Sequence, residues 1–181
     1  AAAADGEPTA DPHTALAAEL TTNLGDDLAA RLDRGHSRHD LHATAFRLWA
    51  RDVMIETGEL LVGLRQALTD LAMRSGAALA PGIVPPILYG HYLIAYVEQL
   101  YRDGNRLKEG YVRADILPLG AGDGSGVDIA LDRAYVARVL GMHANTRNSI
   151  DGVGDRDFAV ETLATLAAIT ARLARLLRDP V

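Results

Sequence analysis

The 181-residue chain contains no cysteine, which excludes disulfides, thiolate nucleophiles and cysteine-ligated zinc. Aromatic residues make up only 5% of a chain that is 49% apolar, and alanine and leucine dominate the apolar set. That mixture favours helices packed closely through small side chains over a β-sandwich. No apolar run reaches the ~18 residues needed to span a bilayer. There is no basic cluster either: the net charge is −6, with Lys and Arg interspersed among Asp and Glu, which argues against nucleic acid as a partner. Ala1–Ala4 has neither the charged segment nor the apolar core of a signal peptide. The expected setting is soluble and cytoplasmic, with no membrane contact.

What is present is helical periodicity. By length the chain is one domain, able to bury roughly 70% of its unfolded surface. Residues 1–10 are small and polar and read as a disordered arm, leaving 11–181 as a single helical domain. Asp11-Pro12 has the pattern of an N-cap followed by proline at the first helical position. A first helix passes through Leu16, Leu20 and Leu24, Gly25 ends or bends it, and a short second piece carries Leu28 and Leu32. From about 38 to 75 the apolar positions Leu41, Ala45, Leu48, Ile55, Leu61, Leu64, Leu68 and Leu71 recur by threes, fours and their sums, the helical period. Pro81-Gly82 and Pro85-Pro86 break the chain. A third helix spans about 88–113 with Leu93, Tyr96, Val97, Leu100 and Leu107 on its apolar side. Asp132 caps a short helix ended by Gly141, and Asp155 caps a last helix, about 155–178, whose apolar residues spread around most of its circumference. A helix of that kind is normally buried, and three long helices cannot cover it, so a homo-oligomer through the long helices is expected. No strand-period segment or internal repeat is visible. The fold class is all-α.

Five sets of residues are candidates for chemistry. Ser37 and Arg38 stand where a long helix begins, a place that favours anions through backbone donors and the helix dipole; the plainer role for Ser37 is the N-cap, with Asp40 as a weak capping-box partner. His36, His39 and His42 give two imidazoles on one face without a third ligand nearby, so no metal is expected. Gly120–Gly126 follows no strand, lacks the lysine of a phosphate loop and carries Asp123, so it reads as a flexible connection. Asn148, Ser149 and Asp151 are equally suited to a ligand and to turn and cap chemistry. Tyr89, Tyr92, Tyr96 and Tyr101 have the spacing of a packing face.

Several segments, in order, resemble argininosuccinate lyase of the fumarase/aspartase superfamily. Ser37-Arg38-His39-Asp40 is similar to the family's Ser-Arg-Asn-Asp, with His39 in place of asparagine, and Ala43–Trp49 continues that helix. Asp11-Pro12-His13, Gly90–Glu98, Pro118–Gly122 and Asn148–Phe158 match in the same order. The resemblance implies a long-helix bundle like the first part of the family's central helical domain, and substrate contacts at Ser37, Arg38, Asn148 and Ser149. The family's Pro-Gly-Tyr-Thr-His-Leu-Gln segment, whose histidine assists proton transfer, is about five residues short here: Pro81-Gly82 runs into Ile83-Val84-Pro85-Pro86 without a histidine. The family's Gly-Ser-Ser-x-Met-Pro loop would come after residue 181. The family β-elimination is therefore not expected.

The expectation is a truncated, repurposed relative that binds a small, carboxylated organic molecule. As an enzyme it would catalyse elimination, addition or cyclisation without a cofactor in a specialised biosynthetic pathway, by positioning and acid–base help, with His39 or His91 as the acid–base residue. The alternative is a catalytically inactive scaffold or regulatory subunit.

Overall fold

Helix dominates the computed structural model, which describes residues 12–32, 35, 37–80 and 85–178. The expected arm at residues 1–10, the Asp11 cap, His36 and residues 81–84 lie outside them. The helices are α1 (Pro12–Leu24), α2 (Asp26–Leu32), α3 (Arg38–Arg74), α4 (Tyr89–Ala114), α5 (Arg133–Val139), α6 (Ser149–Gly154) and α7 (Asp157–Arg178). Four two-residue strands, β1 (Leu79–Ala80), β2 (Ile87–Leu88), β3 (Ile116–Leu117) and β4 (Ala144–Asn145), complete the elements. The all-α expectation holds, and the long helices are α3, α4 and α7. Helix α6 is the one that the spacing does not predict. Gly25 ends α1 at φ +81°, a backbone conformation that costs glycine nothing.

The chain divides into two compact units, one of residues 1–44 and 117–154 and the other of residues 45–116 and 155–181. The second is the helical one, built from most of α3 with α4 and α7. At 37 residues, α3 is about 55 Å long. Its buried residues Ala50, Met54, Leu61 and Leu68 pack with Leu93, Tyr96, Leu100, Leu107 and Ala114 of α4 and with Phe158 and Ile169 of α7. The α4 set falls at intervals of three, four and seven, one face of a helix. Polar groups fasten the same helices. Asp103 is fully buried and accepts from Arg106 at 2.8 Å and from Arg172. Arg47, equally buried, donates to the Arg113 carbonyl at 3.0 Å and to Asp155 at 2.5 Å, and lies over the Phe158 ring. At the far end β1 and β2 pair antiparallel, Leu79 with Leu88 and Ala80 with Ile87.

One expectation about this core needs correction, and one about α7 is met: its own chain leaves much of that helix uncovered. On α3, Ile55 and Leu71 are exposed and Ala45 lies at the surface, while Ala50 and Met54 take buried positions. Apolar residues cover more than one face of α3, and periodicity alone does not say which face meets the rest of its own chain. On α7 the chain buries only the stripe Phe158, Thr162, Thr165 and Ile169; Val160, Leu163 and Leu177 are largely exposed. Three of the four tyrosines of α4 pack: Tyr89 stacks on Tyr92, and Tyr92 meets Tyr96 edge-on, while Tyr101 is exposed beneath Arg65.

Candidate functional site

The first unit is organised differently, around one loop and two helix starts. Ser37 precedes α3, and its Oγ accepts the Asp40 N–H at 3.0 Å. The Asp40 carboxylate accepts the Ser37 N–H in return at 3.5 Å, so the pair forms a capping box with aspartate in the acidic position. Asp40 does far more than complete a cap. It is fully buried, and its two oxygens accept the backbone N–H of Gly122 at 2.8 Å and of Asp123 at 3.1 Å. A carboxylate can be buried when backbone donors replace its water in this way.

Gly120–Gly126 is accordingly not the flexible connection its composition suggests but a coil closed by its own hydrogen bonds. The Ala121 carbonyl accepts from Gly124 at 3.2 Å and from Gly126 at 2.9 Å, and the Gly122 carbonyl accepts from Ser125 at 3.0 Å. Glycine is required at position 122, where φ is +58° and a Cβ would meet the Gly126 carbonyl oxygen at 2.1 Å. Among the described residues Asp123 is the one non-glycine at positive φ, +58°, a region that aspartate enters more readily than most side chains.

From this coil two contacts reach the candidate residues. The His39 imidazole meets Asp123 with Nδ1 2.9 Å from Oδ1, both side chains more than half exposed. Ser149, at the start of α6, donates its Oγ–H to the Gly124 carbonyl at 2.7 Å. His39 and Ser149 thus meet the consecutive loop residues Asp123 and Gly124, and Asp40, the cap partner of Ser37, holds Gly122 and Asp123. Arg38 lies between the first two in sequence and is exposed. Asn148 precedes Ser149, and its Oδ1 accepts the Asp151 N–H at 3.0 Å as the cap of α6. Helix α6 can sit close to Thr146 because residue 152 is glycine; a Cβ there would lie 2.6 Å from the Thr146 Oγ1. Behind the loop, Arg133 staples the unit. Its guanidinium donates to the carbonyls of Leu119 at 2.9 Å, Leu117 at 3.2 Å and Thr146 at 3.3 Å, and to the Thr146 Oγ1 at 2.9 Å.

His91 is placed elsewhere: it is exposed in the first turn of α4 and belongs to the helical unit. Sequence reasoning missed Asp40 and Asp123 as organisers. A single Asp between glycines, and another one turn into a helix, carry no signal of a contact 82 residues apart. Chemically the cluster offers one imidazole with a carboxylate behind it and hydroxyls that keep bonding capacity, with Arg38 adjacent in sequence. Ser37 Oγ, for instance, uses an acceptor site in the cap and keeps its O–H for donation. These are the parts of a site for a small anion with acid–base help, and they contain no thiolate.

The order of these segments along a helical domain defines a class, the lyases built on the long-helix domain of the fumarase/aspartase superfamily. A family profile described as Lyase matches residues 8–180. The argininosuccinate lyase of Paraburkholderia phymatum is 41% identical over 170 residues, covering 91% of this chain and 36% of that protein. Among solved structures, an EDDS lyase in complex with formate superposes with a TM-score of 0.83 at 31% identity, over 89% of this chain and 33% of the other. An EDDS lyase variant with bound fumarate gives 0.82 at 31%, over the same shares. The chain belongs to this lyase family, within the fumarase/aspartase superfamily, and spans about a third of the length of the relatives it matches.

Proposed function

We propose that this lyase-family chain binds a small carboxylated molecule at the loop-centred cluster of the first unit. Ser37, Arg38, Asn148 and Ser149 contact the ligand and His39 serves as the acid–base residue. The observation that carries this is the convergence of His39 and Ser149 on Asp123 and Gly124, with Ser37 tied to the same loop through its cap partner Asp40, segments far apart in sequence. Two solved relatives carry formate and fumarate, carboxylates both, which supports the ligand class. The chemistry is a cofactor-free elimination, addition or cyclisation in a biosynthetic setting in the cytoplasm. The segment 79–90, where the family resemblance calls for a proton-transfer histidine, contains none, so His39 takes that part and His91 is the reserve candidate. No described helix is long and apolar enough to cross a membrane. The exposed apolar residues of the long helices, Leu60 and Val62 on α3 and Leu163 on α7, form the contacts of a homo-oligomer.

A second reading, a catalytically inactive scaffold, is favoured by a specific observation: Ser37 and Asn148 are both used as helix caps. Native mass spectrometry with argininosuccinate and fumarate separates the two. A retained ligand that Arg38→Ala releases, with the far-ultraviolet helical signal unchanged, supports the binding site; an assembly that retains neither supports the scaffold.

A further inference from the structure

We propose that Asp123 is a positioning residue for His39, holding the imidazole as its Nδ1–H tautomer and presenting Nε2 as the proton acceptor of the site. The proposal rests on His39 being the acid–base residue there and adds what makes it one.

The geometry is specific. An ionised carboxylate has no proton to give, so at 2.9 Å the hydrogen between His39 Nδ1 and Asp123 Oδ1 belongs to the ring nitrogen. The partner at one ring nitrogen decides which one carries the proton. With Nδ1 occupied as a donor, the lone pair of the neutral ring lies on Nε2, and the ring remains 68% exposed. A ligand X–H bond can then break with its electron pair staying on the ligand, while a new N–H bond forms at Nε2; the charge of the resulting imidazolium faces the carboxylate at once. This is the base-and-orienter arrangement that general catalysis needs.

Asp123 is also fixed from behind. Its own N–H is held by the buried Asp40 at 3.1 Å, and its backbone adopts the left-handed conformation at φ +58°. Glycine would be the residue of least strain there, as at Gly120, Gly122, Gly124 and Gly126 around it. The loop therefore does not need this carboxylate to fold: Asp40 grips the backbone, and the Asp123 side chain is turned toward His39.

That separation makes the test clean. Asp123→Gly keeps the backbone conformation and the Asp40 hydrogen bonds and removes only the acceptor of the imidazole. Asp123→Asn keeps an acceptor oxygen in a residue that tolerates the same conformation. Nitrogen-15 correlation spectra of the imidazoles, with His39 assigned by its disappearance in His39→Asn, read the tautomer directly, above the pH at which the ring is neutral. The expected result is Nδ1–H for His39 in the native protein and in Asp123→Asn. In Asp123→Gly the Nδ1–H to Nε2–H ratio falls about fivefold, the effect of losing one hydrogen bond. A native His39 that is Nε2–H, or a ratio unmoved by Asp123→Gly, overturns the proposal. Because the tautomer is read without a ligand, that failure is distinguishable from a failure of small-molecule binding, which the Arg38→Ala experiment reports separately.

Discussion

The two units of this chain are held together by different physics. In the helical unit, Leu93, Leu100 and Leu107 of α4 pack against Met54 and Leu61 of α3 and Phe158 of α7; the stabilisation is spread over many apolar contacts, none of them directional. In the loop-centred unit a few polar groups carry the architecture, with Asp40 gripping Gly122 and Asp123 and Arg133 gripping Leu117, Leu119 and Thr146. The lesson concerns tolerance. A packed helical core accepts volume-conserving exchange at small cost, whereas a loop closed on a buried carboxylate loses its partners together. All four candidate ligand residues and His39 lie in the unit whose geometry is set by directional bonds, which is where chemistry needs fixed distances.

The largest effect is expected in the helical unit. Leu100 is 1% exposed, and Leu100→Ala should cost about 2–5 kcal/mol through lost burial and the cavity left behind, read as a lower urea midpoint. Leu100→Met, of similar volume, should cost less than about 1.5 kcal/mol; equal losses for the two would mean that this core is as unforgiving as the loop. In the other unit, Asp40→Ala leaves the Gly122 and Asp123 amides without an acceptor. It should cost about 3 kcal/mol, the scale of two unmade buried hydrogen bonds. Amide exchange should rise first at Gly122 and Asp123 while the amides of α4 keep their protection. Uniform acceleration throughout the chain would erase the contrast between the units.

Gly122→Ala strikes the same loop on the donor side. The added methyl must displace the Gly126 carbonyl from 2.1 Å, and alanine is disfavoured at positive φ by roughly 1–2 kcal/mol. Its amide should lose protection as in Asp40→Ala, because the clash adds to the backbone penalty.

The same contrast governs what could be read from the sequence. Helix period and breakers gave the long helices, because Leu93, Leu100 and Leu107 mark a face whatever they touch, and a proline pair ends a helix in any context. The face of α3 was harder: Ile55 reads as core by its chemistry, yet it is 46% exposed, while Arg47 is 2% exposed. Burial of an arginine depends on Asp155, 108 residues away, and no local pattern announces such a partner. The site shows the limit most clearly. The family resemblance marked Ser37, His39 and Ser149 as candidates, but what brings His39 and Ser149 together is a glycine-rich loop whose composition is that of a connector. Its order comes from backbone donors meeting one distant carboxylate, an interaction with no sequence signature. Asn148 and Ser149 carried two meanings, turn or cap and ligand contact; Asn148 caps α6 and Ser149 bonds the Gly124 carbonyl, neither of which removes the capacity for a ligand.

The smallest effect sharpens that last ambiguity. Asn148 caps α6 by accepting the Asp151 N–H, so Asn148→Ala should destabilise by about 1 kcal/mol, as loss of an N-cap does. Asn148→Asp keeps the accepting oxygen and places a negative charge at a helix start, so it should restore stability. The same carboxylate would repel a bound carboxylate and offers no amide donor to it. If Asn148 is a cap alone, the alanine variant is the least stable of the three proteins, and fumarate retention in native mass spectrometry is the same for the native chain and for Asn148→Asp. If it also contacts the ligand, Asn148→Asp keeps the fold and loses the retention. Stability and retention moving apart at this one side chain would show that a cap in the loop-centred unit also serves the ligand.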